Sequence, residues 1–331
     1  MLKILFSGDD IARTRVAPAP DPLWELTLSL HLLQGRGRYP LMAGWRRTVS
    51  QRLRREVGLD QLRLLFALNR PRGYFPDFLT PIESVHGLDA GLEAVRATPV
   101  TALHRDLTVL AGETTLPSWA GALARGDGET LTQLVDSMRR YESIALGPYR
   151  SHLRAAVEAD RNRRARALLD GGAEGLLAGL RPHLRWESGV LEVRDYPRPR
   201  ELHLGGRGLL LVPSYFCGRT PVALFDEELT PVLVYPVDRL GGLTSPDPVD
   251  RAAGPDRQAL AALLGRTRAA VLEVTDSGCT TGELARRLRI SPAAASQHTT
   301  VLRNAGLLVS QRERNTVLHT LTPLGRAMLN R

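Results

Sequence analysis

Apolar and polar residues follow three regimes along this chain. Residues 88–97, 100–110, 117–125, 128–146, 148–169 and 173–180 carry apolar positions at helical spacing. Pro99, Gly112, Pro117, Gly126, Gly147-Pro148 and Gly171-Gly172 punctuate them. Shorter apolar runs of strand length follow at 189–194, 201–204, 208–213, 221–225 and 231–235, between Pro- and Gly-rich turns. Helical spacing returns after residue 256. At the start, residues 2–6 read as a strand turning at Ser7-Gly8-Asp9-Asp10, where Asp9 or Asp10 is expected to cap a helix rather than form a catalytic acid pair. Asp21-Pro22 is a cap followed by proline at the first helical position. The helix it opens runs to about Leu33, apolar on most sides and expected to be buried. Residues 41–57 predict a basic amphipathic helix with Trp45, Val49 and Leu53 on one face. Gly205-Gly206-Arg207-Gly208 falls between two apolar runs without a following helix, which predicts a hairpin turn rather than a phosphate cradle. The class expected is α+β. Residues 1–245 form a mostly helical domain that turns strand-rich at 186–236, 246–255 a polar linker, and 256–331 a second domain.

The boundary signals are densest in that second domain. Thr280 and Glu283 stand at capping-box spacing, with Leu284, Ala285 and Leu288 on one inward face. Ser291 is a good N-cap and Pro292 a good first residue for the next helix, which Gly306 ends. Ala295, Thr299 and Leu302 repeat at i, i+4 and i+7 and should face the core. The opposite face carries Ala293, Gln297 and Thr300, with Ser296 on its flank. Residues 307–311 and 316–321 read as strands joined by a turn at Arg312-Glu313-Arg314-Asn315, and Thr322-Pro323 caps a last helix.

Helix, tight link, helix, β-hairpin and helix is the order of a winged helix-turn-helix. Its exposed face is short, polar and uncharged, as suits a helix reading base edges in a major groove. Gln297 suits an adenine edge; Ser296 and Thr300 suit a base or a phosphate. Thr281, Arg312 and Arg314 are placed to hold phosphates. A solvated helical hairpin would show the same face, and it is the hairpin with its arginines that favours DNA.

Charge supports this only locally. The chain has 331 residues and a net charge of +9, but Lys3 is its single lysine, a bias expected of GC-rich codon usage. Residues 255–331 hold eleven Arg against five Asp or Glu, about two-thirds of the net charge. The cluster Arg161, Arg163, Arg164 and Arg166 reads as a solvated helix face, with DNA steering as the alternative. Cys217 and Cys279 are far apart and form no CxxC, so a disulfide framework is not expected and a reducing cytoplasm is. No apolar run is long enough to span a membrane.

The run Thr267-Arg268 to Leu272, Glu283-Leu284-Ala285, Ser291 to Leu308 and Leu321-Thr322-Pro323-Leu324-Gly325 resembles the ArsR family of bacterial transcription regulators over about residues 256–331. The resemblance implies a homodimer paired by its outer helices, repressing from a palindromic operator. It places Ser296, Gln297, His298 and Thr300 on the DNA-reading helix and Arg312 and Arg314 on the wing. Two features depart from the family. Thr299 stands where leucine is common, and the first helix of the motif lacks the Cys-x-Cys pair of the metal-sensing members, so no metal site is expected. Residues 2–6 and 9–16, the Asp21-Pro22 helix and the 211–217 strand resemble an N-terminal domain of ArsR-like regulators from actinobacterial-type genomes.

No nucleophile elbow, P-loop or His-x-x-x-His pair occurs, so no catalytic residue and no cofactor is expected. The aromatic loop at 70–81 and Tyr215-Phe216-Cys217 either line a pocket or pack over the core. The expected function is a cytoplasmic, homodimeric transcription regulator, with residues 1–245 as an effector or oligomerisation domain open to an unknown small-molecule effector. An enzyme with an appended DNA-binding module, a protein-partner scaffold and a thiol switch at Cys279 are the alternatives.

Overall fold

The computed structural model describes residues 1–35, 39–57, 62–71, 73–239, 243, 255–313 and 316–329. The chain divides into two compact units, Met1–Leu243 and Thr244–Arg331. Of the expected linker at 246–255, residues 246–254 lie outside the described residues, as do Arg314 and Asn315, while Pro255 already opens a helix.

In the first unit, β1 (Leu2–Leu5) opens the chain and ends at Ser7, the N-cap of α1 (Gly8–Arg13). The cap is therefore Ser7, neither Asp9 nor Asp10. Asp10 is its reciprocal partner: the Ser7 amide donates to Asp10 Oδ2 at 2.9 Å and the Asp10 amide to Ser7 Oγ at 3.2 Å. After β2 (Arg15–Val16), α2 (Pro22–Gln34) starts as its cap predicts, with the Leu23 and Trp24 amides donating to Asp21 Oδ1. It is buried over nine residues, including Glu25, Thr27 and Ser29, because it is surrounded by α3 (Ala43–Glu56), α5 (Leu88–Arg96), α8 (Gly128–Ala145) and sheet residues. Two more helices, α4 (Arg63–Leu68) and α6 (Val100–Glu113), and the short α7 (Ala120–Ala124) complete the helical layer.

The helix α9 (Arg150–Ala178) breaks where the glycine pair predicts, at Gly171 and Gly172, the latter at φ +61°. The chain folds back there so closely that a Cβ on Gly175 would lie 2.5 Å from the Ala167 carbonyl oxygen. The basic cluster on this helix is partly internal: Arg163 and Arg164 both pair with the fully buried Asp160 at 3.0 Å, which also accepts from Tyr235 Oη at 2.6 Å.

The strands form two four-stranded sheets. The first runs β3 (Arg185–Glu187), β4 (Val190–Val193), β1 and β5 (Arg200–His203); the second runs β2, β6 (Leu210–Ser214), β8 (Val232–Pro236) and β7 (Val222–Ala223). In the first, β1 pairs antiparallel with β4 (Leu2↔Val193) and parallel with β5 (Leu2↔Arg200). In the second, β6 is parallel to both β2 and β8, which buries it on both faces.

This topology overturns the hairpin expected at 205–208. β5 and β6 lie in different sheets, so the glycine-rich segment is a crossover between them. Gly208, at φ +73°, passes so near Arg13 that a Cβ would meet its backbone at 2.7 Å, and its amide donates to Asp10 Oδ1 at 3.0 Å. The Arg207 guanidinium closes the segment by donating to the carbonyls of His203, Leu204 and Leu229.

Candidate nucleic-acid interface

The second unit opens with α10 (Pro255–Leu264) and α11 (Arg266–Val274). A short strand, β9 (Cys279–Thr280), leads into α12 (Thr281–Leu288) and α13 (Pro292–Asn304). Strands β10 (Leu308–Glu313) and β11 (Thr316–Leu321) precede α14 (Pro323–Leu329). A small core of Val271, Leu272, Leu284, Ala285, Ala295, Leu302, Leu307, Leu308 and Leu321, with Cys279, holds these elements together.

Both local starts are as the sequence predicts. The Thr280 amide donates to Glu283 Oε2 at 2.9 Å and the Glu283 amide to Thr280 Oγ1 at 3.3 Å. Those backbone and hydroxyl bonds, with Arg287 and Arg286 nearby, hold the Glu283 carboxyl below its ordinary range. Ser291 Oγ accepts from the Ala294 amide at 3.1 Å, and Pro292 begins α13.

The link between the two helices rests on a residue that no local sequence signal singles out. Arg289 ends α12 in the left-handed region, φ 54° and ψ 44°, where an L side chain crowds the following carbonyl. The Ile290 amide then donates to the Ala285 carbonyl at 3.0 Å, and the chain turns into α13. Arg289→Gly is expected to raise the melting temperature of this unit, through relief of about 1 kcal/mol. If the exposed Arg289 reaches phosphate, the same change flattens the salt dependence of DNA binding by about one unit of slope. Thermal melts and salt titrations read the two effects separately.

On α13 the sides divide as expected. Ala295, Thr299 and Leu302 are buried, with Thr299 Oγ1 donating to the Ser296 carbonyl at 3.0 Å, which accommodates its hydroxyl inside the core. Ala293, Ser296, Gln297 and Thr300 are exposed and His298 is half-buried. Arg312 is exposed but is not in a turn: β10 continues through it, Arg312 pairs with Val317 and Glu313 with Thr316. Arg314, assigned with it to the wing, lies outside the described residues. The hairpin gains a third strand, because β9 pairs antiparallel with β11 (His319↔Cys279). This two-residue strand ties the start of α12 to the hairpin.

Thr281 is the predicted phosphate anchor whose surroundings differ most from expectation. Its Oγ1 lies 2.9 Å from His319 Nε2, and the other ring nitrogen, Nδ1, lies 2.9 Å from Ser310 Oγ. The hydroxyl is thus shared with the protein. Cys279 is buried, and burial pushes its thiol up, which disfavours the reactive thiolate that a thiol switch needs.

Residues 263–311 match the family model of a helix-turn-helix domain. The chain carries a helix-turn-helix. The matched segment runs from the end of α10 through α13 to β10 and contains the exposed face just described. That supports a DNA-binding regulator. Neither the curated proteins nor the solved structures contain a match to the chain.

In the first unit, the pocket readings resolve differently. Tyr215, Phe216 and Cys217 are fully buried, their strand end gathered on the carboxylate of Glu25. Phe75 and Phe78 pack into the core, while Tyr74 stands edge-on to Phe225 at 5.3 Å. Phe225 lines a cleft of about 460 Å³ with Arg105, Val109, Arg198, Pro199 and Arg200. Among the described residues, no group of three or more His, Cys, Asp or Glu is arranged to hold a metal ion. No described helix is long and apolar enough to cross a membrane.

Proposed function

We propose that the protein is a cytoplasmic transcription regulator of the ArsR type, a repressor that binds a palindromic operator as a homodimer. The observation that carries this reading is α13, which lies within the matched segment: one side is buried, and the other presents Ala293, Ser296, Gln297 and Thr300 to solvent, ahead of a β-hairpin. In this reading Gln297, Ser296 and Thr300 read bases. Thr281, His298, Arg312 and Arg314 hold or flank the phosphate backbone. Two recognition helices of a dimer meet half-sites about 10 bp apart or a multiple of that.

The first unit serves in this proposal as an effector-binding domain without catalysis of its own. The cleft beside Phe225 is the described place where a small molecule would be sought. An effector acts by binding one inter-subunit geometry more tightly than another.

The test is a fluorescence-anisotropy titration of the full chain against the DNA upstream of its own coding region, at two salt concentrations. Gln297→Ala is expected to cost about 1–3 kcal/mol on the specific site and little on unrelated DNA. Arg312→Ala is expected to weaken both alike and to reduce the salt slope by about one. Binding indifferent to sequence and to both substitutions would refute the operator reading.

A further inference from the structure

The ring of His319 is 4% exposed and bridges two hydroxyls from different elements, Thr281 at the start of α12 and Ser310 on β10, each at 2.9 Å. Each hydroxyl has one hydrogen to give. A neutral imidazole donates from one nitrogen and accepts at the other, so it consumes one of those two hydrogens inside the protein. An imidazolium donates from both nitrogens. Both hydroxyls then accept from the ring, and both of their hydrogens are released to point elsewhere. Thr281 and Ser310 are each half-buried, so each retains a path to solvent.

A phosphodiester oxygen only accepts hydrogen bonds. The phosphate backbone is therefore met by both hydroxyls, each at its own acceptor oxygen, only when His319 is charged. We propose that His319 is a positioning residue of the DNA interface that couples backbone binding to the uptake of one proton; this rests on the DNA-binding reading above. In the free protein, burial and then the nearby Arg303 hold the ring below its ordinary range and hence neutral at neutral pH. A phosphate brought to Thr281 and Ser310 adds negative charge on the other side and favours the imidazolium.

The remaining groups around this site keep a fixed charge near neutrality. Across the strand pair, Cys279 of β9 is held protonated by burial. On α12, Glu283 is held ionised by its capping bonds. Arg286 and Arg287 of α12, Arg303 of α13 and Arg312 of β10 are permanent cations. Asp276 stands in the turn before β9. His298 on α13 is the other histidine of this unit and needs its own control.

The experiment measures affinity of the full chain for its upstream DNA from about pH 6 to about pH 8 at constant ionic strength. Wild type is expected to bind more tightly as pH falls, by up to about tenfold per pH unit. His319→Gln keeps one donor and one acceptor for the two hydroxyls but takes up no proton. It should lose the slope while staying within about threefold of wild type at the alkaline end. His298→Gln should keep the slope. A slope that survives in His319→Gln, or vanishes only in His298→Gln, overturns the proposal. Sequence-specific binding with no pH dependence in wild type overturns it too and leaves the operator reading intact; no specific binding at any pH removes both. Should His319→Gln fail to fold, imidazole ¹⁵N shifts of the wild-type complex decide: protonation of both ring nitrogens on adding DNA is expected, and a neutral ring in the complex is the contrary result.

Discussion

Replacing Glu25 with alanine is expected to destabilise the first unit by about 3–5 kcal/mol, measured as a fall in its urea midpoint. Its carboxylate is 1% exposed and gathers three donors at the end of β6. The Tyr215 amide donates to Oε1 at 2.8 Å, while the Phe216 amide at 3.0 Å and Ser214 Oγ at 2.9 Å donate to Oε2. Alanine leaves these groups in a dry core, and each orphaned donor costs about 1–3 kcal/mol. An unchanged midpoint would mean that water replaces the carboxylate.

Glu25 also sets a pH dependence whose sign can be worked out. Desolvation outweighs its three hydrogen bonds and raises its pKa to about 7, with Asp21 adding a smaller push in the same direction. An unfolded glutamate ionises near 4.5. The stabilising contribution is therefore fully present below that value and is lost as pH rises through about 7, a span worth roughly 3 kcal/mol. Asp77, raised to about 6 chiefly by burial, acts in the same sense. His31 opposes them: its ring, with Nε2 enclosed and unbonded, is pushed down to about 4 by burial. Its contribution is present above pH 6.5 and is lost as pH falls through about 4. The difference between wild type and Glu25→Gln isolates the glutamate, and it should shrink steadily as pH rises from 4.5 to 7.

Leu302→Ala is expected to remove about half of the stability of the second unit. Leu302 is 1% exposed in a small core and packs the buried side of α13, opposite its exposed face, against its neighbours. Such truncations cost about 2–5 kcal/mol, against a total of about 4–11 kcal/mol for a domain of this size. The expected result is an early thermal transition and loss of DNA binding at 37 °C (about body temperature), with Leu302→Met retaining both. A melt and an affinity that match wild type would show that the site collapses around the smaller side chain.

What the sequence makes legible here is what neighbours in sequence decide. Thr280 with Glu283, Ser291 with Pro292, and Ala295, Thr299 and Leu302 are pairs and triplets within two helical turns, and each is found as read. The break at Gly171 and Gly172 belongs to the same class. Contacts between distant residues escape such reading. Nothing near residue 205 says that β5 and β6 belong to different sheets, because that depends on β1 and β2 entering from the start of the chain. Glu25 lies in a helix expected to be buried, and nothing near it in sequence foretells the three donors that β6 brings to it. The bridge through His319 joins positions 281, 310 and 319, which share no local pattern. Arg289 shows the remaining case, a left-handed position filled by a residue type that does not advertise it.

The central place of β1 in its sheet has a consequence for how the protein is made. β1 leaves the ribosome well before the two strands that flank it, which lie about 190 residues later in the chain. At ordinary elongation rates it waits roughly 10–40 s for them. During that interval Leu2 and Ile4, fully buried in the finished sheet, are exposed. The first unit thus closes only after nearly all of it has been translated, and a nascent chain stopped before residue 200 leaves that sheet incomplete.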